Sequence, residues 1–175
     1  EYEKYLKDKG LLHLEDHGAL QEFGDKGIQT CDARPSKVSY EDSQEGWIVS
    51  QSKIAMKRAI KEDKPFFLHV SLPKPHQCYA PSKRFWSMYN ESELNLPPNI
   101  DYDMSEKAPN LKRMAEHWRE GEWTLFEPKT FEAGRLRKLH GYLGNISQVD
   151  YAVGELVNCL DENHLSDDTI VVYSA

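Results

Sequence analysis

Residues 64–76, which read KPFFLHVSLPKPH, constrain the fold more than any other part of the sequence. The nearly continuous apolar run from Phe66 to Leu72 predicts a strand that is buried on both faces. Pro73 and Pro75 end this strand, because proline cannot donate to a ladder and forces the preceding residue into an extended conformation. Strands of this kind belong to parallel sheets covered by helices, so the segment predicts an α/β fold.

Lys74 and His76 follow this strand on a turn that the two prolines stiffen. Open α/β sheets bind their ligands beyond the carboxyl ends of the strands. An ammonium and an imidazole at that place suit an oxyanion, and the imidazole can also donate a proton near neutral pH. We therefore predict that both residues belong to a binding site. The alternatives are a loop histidine without chemical role and a lysine that forms only a structural ion pair.

The last part of the chain has the most regular pattern. Apolar residues recur at steps of three and four from Leu136 to Leu160, which predicts a long helix with one apolar face. Asp150 interrupts that face, and we interpret it as a structural carboxylate that binds backbone groups of a neighbouring loop. A strand over 169–174 follows. Together with the strand 66–72, this order predicts a mainly parallel sheet flanked by helices.

The middle of the chain is predicted to hold shorter helices and one long irregular excursion. Helical spacing predicts a helix over 47–62, with Ser50 or Ser52 as its N-cap. Residues 91–130 contain four prolines and form the excursion, with helical turns over 111–118. Loops of this length inside domains are usually functional or specific to a family.

Composition excludes several classes of function. The chain of 175 residues has a net charge of −7, which argues against a nucleic-acid-binding surface. No stretch approaches the roughly 18 apolar residues that a membrane span requires. The three cysteines lack Cys-x-x-Cys spacing, so the sequence predicts neither a disulfide framework nor a zinc site.

Two blocks of the sequence resemble type I sulfatases, members of the alkaline-phosphatase-like superfamily. The first is PFFLHVSLPKPH with the following YAP and FWSMY, and it is most similar to the bacterial iduronate-2-sulfatase-like and choline-sulfatase-like branch. The second covers residues 141–174, and in that family the matching helix and strand lead into an Asp-His-Gly metal-binding motif. The resemblance covers residues 36–175. It implies that residues 1–175 are the central part of an incomplete sulfatase catalytic domain.

The resemblance implies a hydrolase of sulfate esters, with a sulfated sugar or a small sulfate ester as substrate. His76 would contact the sulfate or the leaving-group oxygen, and Lys74 would attract the anion. Intact members use a formylglycine nucleophile and a divalent ion, usually calcium, and a bacterial relative would be periplasmic or secreted. The formylglycine motif Cys/Ser-x-Pro/Ala-x-Arg is not matched, because Arg34 follows Cys31 by three residues instead of four. We identify no metal ligand in this chain and expect it to be inactive alone.

Two alternatives remain open at this stage. The same superfamily contains phosphonate and phosphodiester hydrolases, so the substrate could be a phosphorus ester. The segment could also be a non-catalytic module that uses Lys74 and His76 to bind sulfated glycans. A formylglycine motif in the nucleophile segment would leave both ester classes open, whereas a threonine with two metal ions would favour phosphorus esters. Binding of sulfated against unsulfated oligosaccharide tests the module.

Overall fold

The computed structural model describes residues 1–14, 33–100, 102–119 and 130–174, and its framework is helical. Two short 3₁₀ helices, Leu12–Leu14 and Glu91–Glu93, accompany the α-helices. None of the helices in the described ranges combines the length and apolar character needed to cross a bilayer. The α-helices are α1 (Tyr2–Asp8), α2 (Gln44–Lys61), α3 (Lys83–Trp86), α4 (Pro109–Arg119) and α5 (Phe131–Glu162).

The two segments predicted as strands, 66–72 and 169–174, carry no regular secondary structure. Parallel pairing in the described residues is limited to isolated bridges, Ala33 with Tyr79 and Ser36 with Ser82. Phe67 is 95% exposed, so the prediction that the run 66–72 is buried on both faces is wrong for the chain as described, and Ile170 in the second run is 91% exposed. A strand needs ladder partners and an apolar face needs a covering layer, and the described residues supply neither on these sides. The mainly parallel sheet stays a prediction.

One side of the run 66–72 is nevertheless anchored. Leu68 and Leu72 are partly buried and pack against the helical core, whereas Phe67 points to solvent. This alternation resembles a strand that is covered on one face only. Because Leu72 is fixed, the turn that begins at Pro73 starts from a defined position.

Helix α2 begins earlier than its apolar spacing suggests. The Oγ of Ser43 accepts a hydrogen bond from the backbone N–H of Gly46, which makes Ser43 the N-cap. The prediction of Ser50 or Ser52 as the cap is wrong, because both lie inside the helix. The hydroxyl of Ser52 instead donates to the carbonyl of Ile48 at 2.8 Å.

Helix α5 confirms the predicted long helix, with Asn163 as its C-cap, but its buried face differs from the predicted one. Ile146 and Val157 are more than one third exposed, and Asp150 is exposed instead of binding a neighbouring loop. The interpretation of Asp150 is therefore wrong. The buried face of α5 consists mainly of small and polar residues, namely His140, Gly141, Gly144, Asn145, Gln148, Val149, Ala152, Cys159 and Leu160.

Helices α2 and α3 pack against α5 and form the core. One cluster contains Tyr40, Val49, Phe85 and Ala152, and a second contains Met56, Cys159 and Leu160. The amino end of α2 and the segment 73–82 meet above the polar part of α5. This meeting point positions the candidate site.

Candidate functional site

A cavity of about 300 Å³ lies between the amino end of α2, the segment 73–82 and the start of α1. It contains the two residues that sequence analysis selected, Lys74 and His76, and so brings them together. Hydroxyl groups and a carboxylate also lie along the wall. Its polar side chains include Tyr2, Ser43, Glu45, Lys74, His76 and Ser82.

Lys74 has both a structural partner and access to the cavity. Its Nζ lies 3.3 Å from Oε2 of Glu45, and its side chain is 18% exposed. Its backbone N–H also donates to Oε1 of Glu45 at 3.4 Å. The ion-pair interpretation and the anion-binding interpretation are therefore compatible, because one ammonium carries several N–H donors.

Glu45 and Gln148 form a buried polar contact behind Lys74. Both side chains are fully buried. The amide Nε2 of Gln148 donates to Oε2 of Glu45 at 2.8 Å and lies 3.4 Å from Oγ of Ser43. Its Oε1 accepts from the backbone N–H of Ser82 at 2.8 Å. One glutamine of α5 therefore connects three parts of the cavity wall.

Sequence analysis missed Glu45 and Gln148. A glutamate in the first turn of a helix usually stabilises the helix dipole, so Glu45 gives no sign of a second role. Gln148 lies in the second half of the predicted helix, between residues assigned to the apolar face. Their proximity depends on how α2 packs against α5, which no local spacing encodes.

The imidazole of His76 is exposed and oriented by its neighbour. Its Nδ1 lies 2.7 Å from the carbonyl oxygen of Gln77, and its backbone N–H donates to the carbonyl of Pro73 at 3.1 Å. Because a carbonyl only accepts, Nδ1 must carry the proton in this contact. The Nε2 atom is then the nitrogen that accepts a proton in the neutral ring and donates one in the imidazolium.

The Oγ atom of Ser82, a residue of the cavity wall, is buried and lacks a hydrogen-bond partner within the described part of the chain. A buried polar atom without a hydrogen bond costs roughly 1–3 kcal/mol.

The described ranges contain no group of three or more histidine, cysteine, aspartate and glutamate side chains that could hold a metal ion. The side chains within these ranges therefore do not fit a calcium site. Cys31, the residue weighed as a nucleophile, lies outside the described residues.

Comparison with known proteins gives consistent matches. A profile of the family described as Sulfatase matches residues 20–175. A multifunctional alkaline phosphatase superfamily protein of Trinickia caryophylli is 25% identical over 158 residues, covering 87% of this chain and 30% of that protein. A choline-sulfatase of Rhizobium meliloti is 25% identical over 140 residues, covering 79% of this chain and 26% of that protein.

A third relative extends this set. An ulvan-active sulfatase of Formosa agariphila is 29% identical over 130 residues, covering 73% of this chain and 20% of that protein. The chain thus spans less than one third of the length of the curated relatives it matches.

Proposed function

Because this chain belongs to the sulfatase family, we propose that it forms one wall of the active site of a sulfuric ester hydrolase. The observation that carries the proposal is the shared cavity of Lys74 and His76, which joins a cation and a titratable imidazole. The family match supports the reaction class. The cavity supports the proposal that Lys74 and His76 belong to the part of the chain that takes part in this reaction.

In this proposal Lys74 and His76 have different tasks. The Lys74 ammonium attracts the negatively charged sulfate group and holds it in the cavity. When a sulfate ester is cleaved, the bond from sulfur to the ester oxygen breaks and the alcohol leaves. An imidazolium at His76 can donate its Nε2 proton to that oxygen, because Nδ1 is already engaged with Gln77.

The remaining chemistry of the family is not assigned to this chain. Relatives of the type proposed here use a formylglycine and a metal ion, and the described residues do not fit a metal site. We propose that the 175-residue segment by itself does not hydrolyse sulfate esters, since its sequence contains no formylglycine motif.

The proposed substrate class is a sulfated sugar or another small sulfate ester. Two relatives support this range, since one is described as ulvan-active and another as a choline-sulfatase. Tyr2 adds an aromatic and hydroxyl-bearing wall to the cavity, which suits the organic part of such an ester.

Replacement of His76 tests the proposal. In a polypeptide that carries this segment within a complete sulfatase domain, His76→Ala is expected to lower kcat for 4-nitrophenyl sulfate by about 10²–10⁴-fold, because a positioned proton donor is lost. Its thermal unfolding should change little, since the side chain is exposed.

Replacement of Lys74 by Ala should raise KM more than it lowers kcat, because the ammonium mainly attracts the anion.

The exposed residue His13, which does not line the cavity, supplies the control. His13→Ala should retain normal turnover. Near-normal kcat in His76→Ala, or failure of that variant to fold, would show that His76 is structural.

A second candidate is a hydrolase of phosphorus esters. It is favoured by the match to a protein described as a multifunctional member of the alkaline phosphatase superfamily. Comparing kcat/KM for 4-nitrophenyl sulfate with that for bis(4-nitrophenyl) phosphate separates the two. The sulfate ester should be preferred, and a strong preference for the phosphodiester would favour the second candidate.

A further inference from the structure

We propose that Glu45 is a positioning residue, whose buried carboxylate orients the Lys74 ammonium toward an anion in the cavity. The inference rests on the proposed function and extends it to a residue that lies behind the binding surface. Glu45 itself is not a catalytic residue, because it acts through Lys74.

The Glu45 side chain has no exposure to solvent, and an unpaired charge at such a place costs several kcal/mol. Replacing a whole buried ion pair by well-packed apolar residues of similar volume is often neutral or stabilising. A carboxylate at the wall of a cavity that also contains Lys74 is therefore better explained by what it holds than by the stability it adds.

Glu45 contacts Lys74 at both its backbone and its ammonium group. The two carboxylate oxygens contact both ends of the same residue: Oε1 accepts from the Lys74 backbone N–H at 3.4 Å, and Oε2 lies 3.3 Å from Nζ. Glu45 thereby fixes the position of both the Lys74 backbone and the Lys74 ammonium group. The remaining N–H donors of the ammonium stay available to a ligand.

Glu45 is itself held in place by Gln148. Gln148 donates to Oε2 at 2.8 Å, and the orientation of its amide is set because its Oε1 accepts from the Ser82 N–H. Gln148 belongs to α5, the longest helix of the described chain. A chain of contacts thus runs from a rigid helix through Gln148 and Glu45 to Lys74, and such support is what a precise binding group requires.

A double-mutant cycle separates positioning from a structural role. In the polypeptide with a complete sulfatase domain, Glu45→Gln and Lys74→Met are made singly and together, and kcat/KM is measured with 4-nitrophenyl sulfate. If Glu45 acts through Lys74, Glu45→Gln should lower kcat/KM by about tenfold in the presence of Lys74. The same substitution should have less than about a twofold effect once Lys74 is Met.

Two other results of this experiment would contradict either the positioning role of Glu45 or the proposed function. An equal effect of Glu45→Gln in both backgrounds would overturn the positioning role and leave the proposed function intact. Absence of turnover in the unsubstituted polypeptide would overturn the proposed function and this inference with it. Glu41→Gln, at an exposed glutamate just before α2, is the matched control and should leave kcat/KM unchanged in both backgrounds.

A second variant keeps the test informative if Glu45→Gln does not fold. Glu45→Asp retains the negative charge but shortens the reach by one methylene group, so the contact with Lys74 is lost. It is expected to give the same dependence on Lys74 as Glu45→Gln. Full activity of Glu45→Asp would show that the orientation of Lys74 does not depend on residue 45.

Discussion

Glu155 links charge to the packing of α5 against α2. It accepts a hydrogen bond from the Tyr40 hydroxyl at 2.7 Å and pairs with Lys53 at 2.8 Å, so it joins α2 to α5. Burial raises the pKa of Tyr40 far above its usual value, and Glu155 raises it further. Burial alone would raise the pKa of Glu155, but the hydrogen bonds from Lys53 and Tyr40 hold it below its usual value.

The lowered pKa of Glu155 predicts a pH dependence of stability. A carboxyl whose pKa is lower in the folded than in the unfolded chain stabilises the fold above the unfolded pKa, about 4.3 for glutamate. That stabilisation is lost as the pH falls through the folded pKa. Urea unfolding should therefore show Glu155→Gln less stable than the unsubstituted chain near neutral pH, with the difference shrinking as the pH falls below about 4.

The control for this experiment is an exposed glutamate at the end of α5. Glu162→Gln should follow the unsubstituted chain at every pH, because Glu162 is exposed. A difference between Glu155→Gln and the unsubstituted chain that stays constant from neutral to acid pH would contradict the assignment.

At the residue scale, the sequence identifies the two residues proposed to bind the substrate but not the buried residues that hold one of them in place. Lys74 and His76 were selected because they follow an apolar run and two prolines, and the structure brings both to one cavity. Their roles remain predictions. Glu45 and Gln148 could not be found, because their contact joins positions 103 residues apart in the sequence.

Among the elements, α5 shows how close packing determines which residues are buried. A Cβ atom placed on Gly141 would lie 2.5 Å from the carbonyl oxygen of Tyr79, and one on Gly144 would lie 2.6 Å from Pro81. Both glycines allow the segment 79–81 to lie directly on the helix. Around Gly154, apart from its chain neighbours and the nearby backbone of α5, no atom of the described residues lies within 4 Å of such a Cβ.

This difference predicts opposite effects of one substitution at two positions of the same helix. Gly141→Ala should destabilise the chain by about 1–3 kcal/mol, because the new methyl group overlaps with backbone. Gly154→Ala should stabilise it by up to about 1 kcal/mol, because alanine favours the helix and the space is open. Chemical denaturation of the two variants measures both values. The same sign of change at both positions would contradict the packing of α5.

Sequence periodicity predicted the positions of the helices better than it predicted which face of each helix is buried. The long helix over Leu136 to Leu160 and the helical turns over 111–118 are confirmed as α5 and α4. The apolar spacing did not reveal which side of α5 is buried, because glycine, asparagine and glutamine fill the face that meets the segment 79–82. These residue types allow the backbone of the segment to lie close to the helix. Because they are not apolar, they do not contribute to a hydrophobic periodicity.

For the whole molecule, the family assignment and the described structure answer different parts of the question. The profile match over residues 20–175 shows the family, and the sulfatase assignment implies an α/β fold. The described residues provide the helices but not the sheet, since the runs 66–72 and 169–174 expose much of their apolar surface. Sequence analysis predicted both runs from local composition. Ladder pairing and burial depend on neighbours that local composition does not specify.

The proposal that the Lys74 and His76 cavity binds the sulfate group is tested most directly by observing that binding. Inorganic sulfate is titrated into a polypeptide that carries this segment in a complete sulfatase domain, with ¹⁵N label in the histidine and lysine side chains. We predict saturable shifts of the His76 ring nitrogens and the Lys74 ammonium, while the exposed residues His13 and Lys57 stay unchanged. Saturable shifts at other residues, with His76 and Lys74 unaffected, would contradict the account.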